Sequence, residues 1–339
     1  MTDNRSDSTL MEAAARLGSL HLFNHFINGI RLSDAEREAE ALALRKRFYC
    51  SGIWLLGLDV MGTHIHVVAH NPGQKLTSAQ VAARMDEVYP EFDKKGQKIP
   101  HNPNSAVCVS WAASSDILGT VIGSWKQSFT QRHNIKNKTY GTAFRQRYQW
   151  RLVTEDDAPP DKPSKIQDPS GSLLQVYTYV EGNGVAGGLA PSAMQDVGSG
   201  QHFWEKYQTP PFPEAVAPDV ARLFLPQDQI PPLLKDLLDK LRLHLLEAVN
   251  RRSVRDQLEL EIKKRGYAHN SDEARSLEDE VRRFFDEALC LGNETAVKAY
   301  AARLEATKHP RLSQQIRSLS LGNMTLFAVY RRRRVPHLN

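Results

Sequence analysis

The chain has 339 residues, a formal net charge of +5 and a sequence pI near 9.0. That length predicts two folding units with a sizeable core, and the mild basic excess favours a polyanionic partner without requiring one. Three scattered cysteines, Cys50, Cys108 and Cys290, form no disulfide framework and no metal spacing, which fits a reducing cytosol. No apolar run reaches membrane-spanning length, and Met1-Thr2-Asp3-Asn4-Arg5 does not read as the start of a signal peptide.

Residues 1–17 read as a polar, mobile leader. Phe23, Phe26 and Ile27 give a strand signal over 20–30. Ser33-Asp34-Ala35-Glu36 is a capping box that opens a helix to about Arg47. The apolar run from Gly52 to Val68 then predicts a strand, or the second strand of a hairpin, and it contains His64-Ile65-His66. Residues two apart in a strand share a face, so the two imidazoles project together while Ile65 and Val67 face away. Two neutral imidazoles side by side can hold one divalent cation. They can equally be a partly buried, hydrogen-bonded pair, and the motif alone leaves both readings open.

Pro72-Gly73 marks a turn, and Thr77-Ser78-Ala79-Gln80 caps a helix to about Val88. Residues 90–104 read as a loop and 107–111 as a short strand. A helix follows from Ser115, with Ile117, Leu118, Ile122, Trp125 and Phe129 at helical spacing. Residues 143–153 alternate as a strand does. Arg145, Arg147 and Arg151 fall on one face, and Phe144, Tyr148 and Trp150 on the other. Arginines so placed can grip phosphates, with Lys126, Arg132 and Lys136 extending the patch, or they form a solvated face over an aromatic core.

After a Pro/Asp/Lys-rich stretch over 156–170, residues 172–183 predict a helix ending near Gly182. Tyr179 and Asn183 are four apart and would share its face. A phenol can serve as a covalent nucleophile and a carboxamide oxygen as a hard metal ligand. The other reading is a packed tyrosine and a helix C-cap. Tyr177 is a competing phenol, about 200° round the helix from Tyr179. Residues 201–232 are Pro-rich and read as an extended linker. Residues 233–339 read as mainly helical, with a strand signal at 325–330 and a basic tail, Arg331, Arg332, Arg333 and Arg334, suited to a DNA backbone or to solubility.

Three blocks in this order resemble the single-tyrosine (Y1) HUH transposases of the IS200-like group, and most of all the REP-associated tyrosine transposases. Met61-Gly62-Thr63-His64-Ile65-His66 matches the family's Met-Pro-Asn-His-x-His. Gly141-Thr142-Ala143-Phe144-Arg145-Gln146-Arg147-Tyr148 matches its intervening helix–strand stretch. The segment from Tyr179 through Asn183 to Leu189 matches its Tyr-Ile-x-x-Asn-Pro-Val-x-Ala-Gly-Leu. The resemblance covers about residues 18–200. The chain departs from the pattern by losing both prolines and by inserting the stretch over 156–170.

The resemblance implies an α+β protein, with a ferredoxin-like antiparallel sheet in a catalytic domain over 18–200 and a helical region after the linker. It implies a metal-dependent transposase that nicks and rejoins single-stranded DNA at hairpin-forming repeat ends, through a 5′-phosphotyrosine on Tyr179. His64, His66 and Asn183 would hold Mg²⁺ or Mn²⁺. Lys126, Arg132, Arg145, Arg147, Arg151 and the arginine tail would bind the DNA. A cytoplasmic, nucleoid-associated homodimer or monomer is expected. Two alternatives are a rolling-circle or relaxase-type HUH initiator and a non-catalytic DNA-binding descendant of the fold.

Overall fold

A computed structural model describes residues 18–27, 29–145, 148–154, 172–207, 217–225, 227–251, 254–292, 294–306, 314–321 and 324–331. The protein is α+β. Its contacts fall into two units that interleave along the chain: Met1–Gln149 with Asn183–Ala217, and Trp150–Gly182 with Pro218–Asn339. This differs from the linear division expected above, because the segment that carries Tyr179 clusters with the C-terminal residues.

In chain order the elements are β1 (Gly18–His25), α1 (Asp34–Tyr49), β2 (Trp54–Val60), β3 (His64–Asn71), α2 (Ser78–Val88), β4 (Glu91–Phe92), β5 (Lys98–Ile99), α3 (Ala106–Ala113) and α4 (Leu118–Asn137). Then come β6 (Gln149–Thr154), α5 (Ser172–Glu181), the single turn α6 (Asn183–Ala186), α7 (Gly200–Tyr207) and α8 (Ala217–Phe224). The remainder is α9 (Leu234–Arg251), α10 (Val254–Lys264), α11 (Asp272–Glu287), β7 (Cys290–Gly292), α12 (Glu294–Ala306), β8 (Gln314–Leu321) and β9 (Met324–Arg331).

The first unit is built on an antiparallel β2-β3-β1 order. β3 pairs with β1 from Gly18↔Asn71 to His25↔His64, and with β2 from Trp54↔His70 to Val60↔Ile65. The expected capping boxes form. The Glu36 carboxylate accepts from the Ser33 N–H and hydroxyl at 2.8 Å each, and Gln80 N–H donates to Thr77 Oγ1 at 3.2 Å. An ion pair with Lys136, then the Ser33 bonds, holds Glu36 down to about 2. An aromatic cluster locks α4 to the segment after β1: Phe26, Phe129 and Phe144 have ring centroids 5.0–5.3 Å apart, and Trp125 joins them.

Arg37 is the strongest tie in this unit. It is buried on α1, donates from Nε to Val60 O at 2.7 Å and from Nη1 to Asp34 at 3.1 Å, and ion-pairs with Asp196. Asp59, fully buried, stands 3.8 Å from the same guanidinium. Gly198 N–H donates to Asp196 at 3.2 Å, and Gly198 O accepts from Val60 N–H at 3.0 Å. A side chain at Gly198 would place Cβ 2.3 Å from Val60 O, so that close approach requires glycine.

Several local expectations are corrected. Residues 107–111 are not a strand but lie in α3, capped by Ser105 Oγ, which accepts from Cys108 N–H at 3.3 Å. Only Cys108 of that helix is buried, so no buried face existed to enforce a period-two reading. The loop over 90–104 holds the small β4/β5 hairpin. The strand expected over 143–153 is broken: Phe144 makes one isolated bridge to Phe26, and β6 starts only at Gln149. The 201–232 segment is not an extended linker throughout, since it contains most of α7, all of α8 and a 3₁₀ turn at Gln227–Gln229. Pro218 sits in the first turn of α8, where a proline needs no donor and fits the helical φ.

The second unit has the strand order β6-β7-β9-β8, with β6/β7 parallel and the other pairs antiparallel. The strand expected at 325–330 is β9, and its partner β8 runs in register from Leu321↔Met324 to Gln314↔Arg331. α5 is buried along nearly its whole length. Tyr177 packs edge-on to Phe224 at 5.6 Å, which gives that phenol a core role.

Two outcomes are expected. Arg37→Ala leaves Asp59 and Asp196 buried without their cation and should cost about 3–5 kcal/mol in urea unfolding. His70, bonded to Ser19 Oγ at 3.0 Å, is pushed down to about 4 by burial. A histidine whose folded pKa lies below its unfolded value gives stability that is present above about pH 6.5 and lost on the way down to pH 4. Unfolding at pH 7 and pH 4 should show an acid loss of up to about 3 kcal/mol from this group, and His70→Gln should remove it.

Candidate functional site

The strand pairing decides which side chains meet. Directly opposed residues of antiparallel strands share a face. His25 opposes His64, and Phe23 and Asp59 flank His66 from the two sides. His21 lies two residues before Phe23 and so shares that face. One face therefore gathers His21, Phe23, His25, His64, His66 and Asp59.

The rings are in contact. His64 and His66 centroids are 5.0 Å apart at 80°, His25 and His64 are 5.1 Å apart, and His21 stacks on His66 at 5.2 Å and 16°. Nε2 of His21 lies 3.0 Å from Nδ1 of His66, so a single proton is shared between those two nitrogens. Thr63 Oγ1 lies 2.9 Å from Nδ1 of His64. His66 is buried at 3 % exposure and His64 is half-buried. Both expected imidazoles thus project together, and in each the Nδ1 atom is oriented by a neighbour. A cation would be taken through Nε2, the arrangement in which outer partners fix ligand histidines.

Asn183 belongs to the same unit as the histidines, but not to the helix that carries Tyr179. α5 ends at Glu181, and Asn183 opens the separate turn α6. The four-residue spacing on one helix face is therefore not what relates the two residues. α6 is held close to the β2–β3 turn. A Cβ at Gly187 would stand 3.0 Å from Met61 Cε, and Met61 N–H donates to His64 O at 2.9 Å. A Cβ at Gly184 would collide with Asp196 Oδ2 at 1.4 Å, so the carboxylate held by Arg37 also packs onto this turn. Asn183 Nδ2 is buried with no hydrogen-bond partner. The two ends of a carboxamide are told apart only by their hydrogen bonds. Exchanging them puts the ligating oxygen at that buried position, which suits a hard cation. Among the described residues, no three His, Cys, Asp or Glu side chains form a metal-holding group.

Tyr179 lies in the second unit, half-buried on α5, with its ring parallel to Phe285 at 4.3 Å and 7°.

The basic residues divide. Arg145 is exposed. Lys126 lies 4.6 Å above the Phe144 ring, and burial brings its pKa down to about 8. Arg132 is bound to both Glu40 oxygens, at 2.7 and 2.8 Å, and Lys136 to Glu36 at 2.5 Å. Arg151 is buried at 1 % exposure, so it does not share a solvated face with Arg145. Arg147, Arg332, Arg333 and Arg334 lie outside the described residues, and Arg331 ends β9.

No family model matches the chain, and no curated protein matches it. A solved structure of a REP-associated tyrosine transposase bound to a REP hairpin aligns with 62% of this chain and 84% of that one, at 12% identity and a TM-score of 0.32. A likeness of that size is distant and assigns no role to any residue. Among the described residues, no helix is long and apolar enough to cross a membrane.

Sequence reasoning missed His21, His25 and Asp59. The alternation His21-Leu22-Phe23-Asn24-His25 was a signal in itself, but only the β1–β3 register shows that it meets His64 and His66. His21→Phe keeps the stacked ring and removes the hydrogen bond to His66, so it should destabilise the protein by about 1–3 kcal/mol in urea unfolding.

Proposed function

We propose that this protein cleaves and rejoins single-stranded DNA by transesterification at a tyrosine, as a transposase of the single-tyrosine HUH kind. The observation that carries the reading is the histidine face of β3. His64 and His66 project together, and their Nδ1 atoms are engaged by Thr63 and His21. Tyr179, Asn183 and their following Gly-rich segment support it by their order in the sequence after that motif.

In this reading His64, His66 and Asn183 hold Mg²⁺ or Mn²⁺, which would draw charge from the phosphoryl oxygens and so favour attack. The Tyr179 oxygen attacks the scissile phosphorus. The new P–O bond forms as the bond to the 3′-oxygen breaks. The phenolic proton leaves the tyrosine and a proton ends on the departing 3′-oxygen, which becomes a free 3′-OH. The 5′-phosphate remains on the tyrosine. Attack by a 3′-OH reverses these bond changes and joins strands with no net hydrolysis.

The test is a denaturing-gel assay for a covalent protein–DNA adduct, with hairpin-bearing single-stranded DNA from the flanks of this gene and Mg²⁺ or Mn²⁺. The wild type should form the adduct, and Tyr179→Phe and His64→Ala should not. An adduct that survives in Tyr179→Phe would move the nucleophile elsewhere. Tight binding of the same DNA by the wild type with no adduct would favour a DNA-binding descendant without catalysis.

A further inference from the structure

Between Asp116 and Glu155 the sequence has seven Lys and Arg and no acidic residue. The middle of this stretch, at the end of α4, shows an aromatic side chain to solvent. Tyr140 is 97 % exposed and Ile135 is 80 % exposed. An isolated exposed tyrosine on a floppy loop would carry little meaning, but this loop is built. Lys138 closes α4 in the left-handed conformation, at φ 53°. Thr139 N–H and Oγ1 donate back to Asn134 O and Oδ1 at 3.0 and 2.9 Å, and Asn134 Nδ2 donates to Gly141 O at 2.9 Å. Asn134 thus clasps both sides of Tyr140 and holds it out from the surface.

The setting of the ring is cationic. Acidic residues of α1 already balance Arg132 and Lys136, whereas Lys138 and Arg145 are exposed on either side of Tyr140 in the chain. The loop also leads to the histidine face. Ile27 N–H donates to Ala143 O at 2.9 Å and Arg145 N–H to His25 O at 3.2 Å, and the His25 ring lies 5.1 Å from that of His64. Five residues separate Tyr140 from Arg145, a backbone reach of at most about 18 Å.

We infer that Tyr140 is a stacking platform for a base of single-stranded DNA, with Lys138 and Arg145 holding the adjoining phosphates as the strand leads to the histidine face. This rests on the transesterification reading for the direction of the strand. A solvent-facing ring on a clasped backbone offers an unpaired base a partner at a reduced ordering cost, and the exposed cations on either side of it in the chain suit phosphates. A protein partner would be served better by apolar surroundings than by these exposed cations.

The test is fluorescence anisotropy with a labelled single strand of about 20 nucleotides, the same strand as a duplex, and wild-type, Tyr140→Ala and Tyr140→Trp proteins. Tyr140→Ala should weaken single-strand binding roughly 5- to 100-fold and duplex binding by much less, while Tyr140→Trp should keep wild-type affinity. Melting temperatures should be unchanged, since so exposed a side chain contributes little to the fold. Single-strand binding within twofold of wild type in Tyr140→Ala would overturn the inference. So would a wild type that binds no single strand, a result that would sink the transesterase reading as well. Weakened binding by Tyr140→Ala in a wild type that forms no covalent adduct would sustain the stacking role and reject only the catalysis.

Discussion

A guanidinium buried against two carboxylates governs how the first unit is put together. Arg37 holds the end of β2 through Val60 O and holds the 196–199 turn through Asp196. Burying three charges is expensive, and an apolar cluster of the same volume is often as stable. What the ionic cluster adds is direction. Its donors are spent on a named carbonyl and named carboxylates, so only one placement of the 196–199 turn satisfies them. Gly184 and Gly198 complete the device, because the carboxylate and Val60 O occupy the space where their Cβ atoms would be. The turn α6, with Asn183, is packed on that same Asp196. The position of the candidate third ligand therefore descends from Arg37.

The histidine face has its own constraint. A 3.0 Å nitrogen–nitrogen contact between His21 and His66 holds one proton, so the two rings cannot both be imidazolium without breaking it. Four imidazoles packed on one sheet face would otherwise repel as they protonate. The contact orients the His66 ring through its Nδ1 atom, from a residue of β1. On the metal reading proposed above, burial and hydrogen bonding of the pair would orient it for a cation and not argue against one.

How much of this was legible in the sequence follows from the range of each interaction. The capping boxes at Ser33 and Thr77 and the shared face of His64 and His66 depend on residues two or three apart, and they formed as expected. The helix over 172–183 was legible in kind, as was its end near Gly182, but not that Asn183 opens a separate turn, because glycine permits both continuation and interruption. Residues 107–111 alternate apolar side chains and still fold as a helix, since an exposed segment has no core to enforce a period of two. His21 and His25 needed the register of β1, Arg151 needed its burial, and Arg37 needed Asp196, which is 159 residues away. Such partners leave no local mark in the sequence.

The distribution of charge refines what a net +5 means. The acid-free stretch implies a broad basic surface, but α1 answers it, with Glu40 and Glu36 taking Arg132 and Lys136. Burial takes Arg151 out of contact with solvent and lowers the Lys126 pKa to about 8. Among the described residues, Lys138 and Arg145 are the exposed cations of this stretch that no α1 carboxylate holds. A duplex binder gains its affinity from many phosphate contacts and the counterions they release, and it loses that affinity steeply as salt rises. A surface with an exposed aromatic ring beside such cations works on different terms. Base stacking needs no counterion release, is available only where bases are unpaired, and tolerates any sequence. On the stacking inference drawn above, this loop would prefer unpaired bases to a duplex.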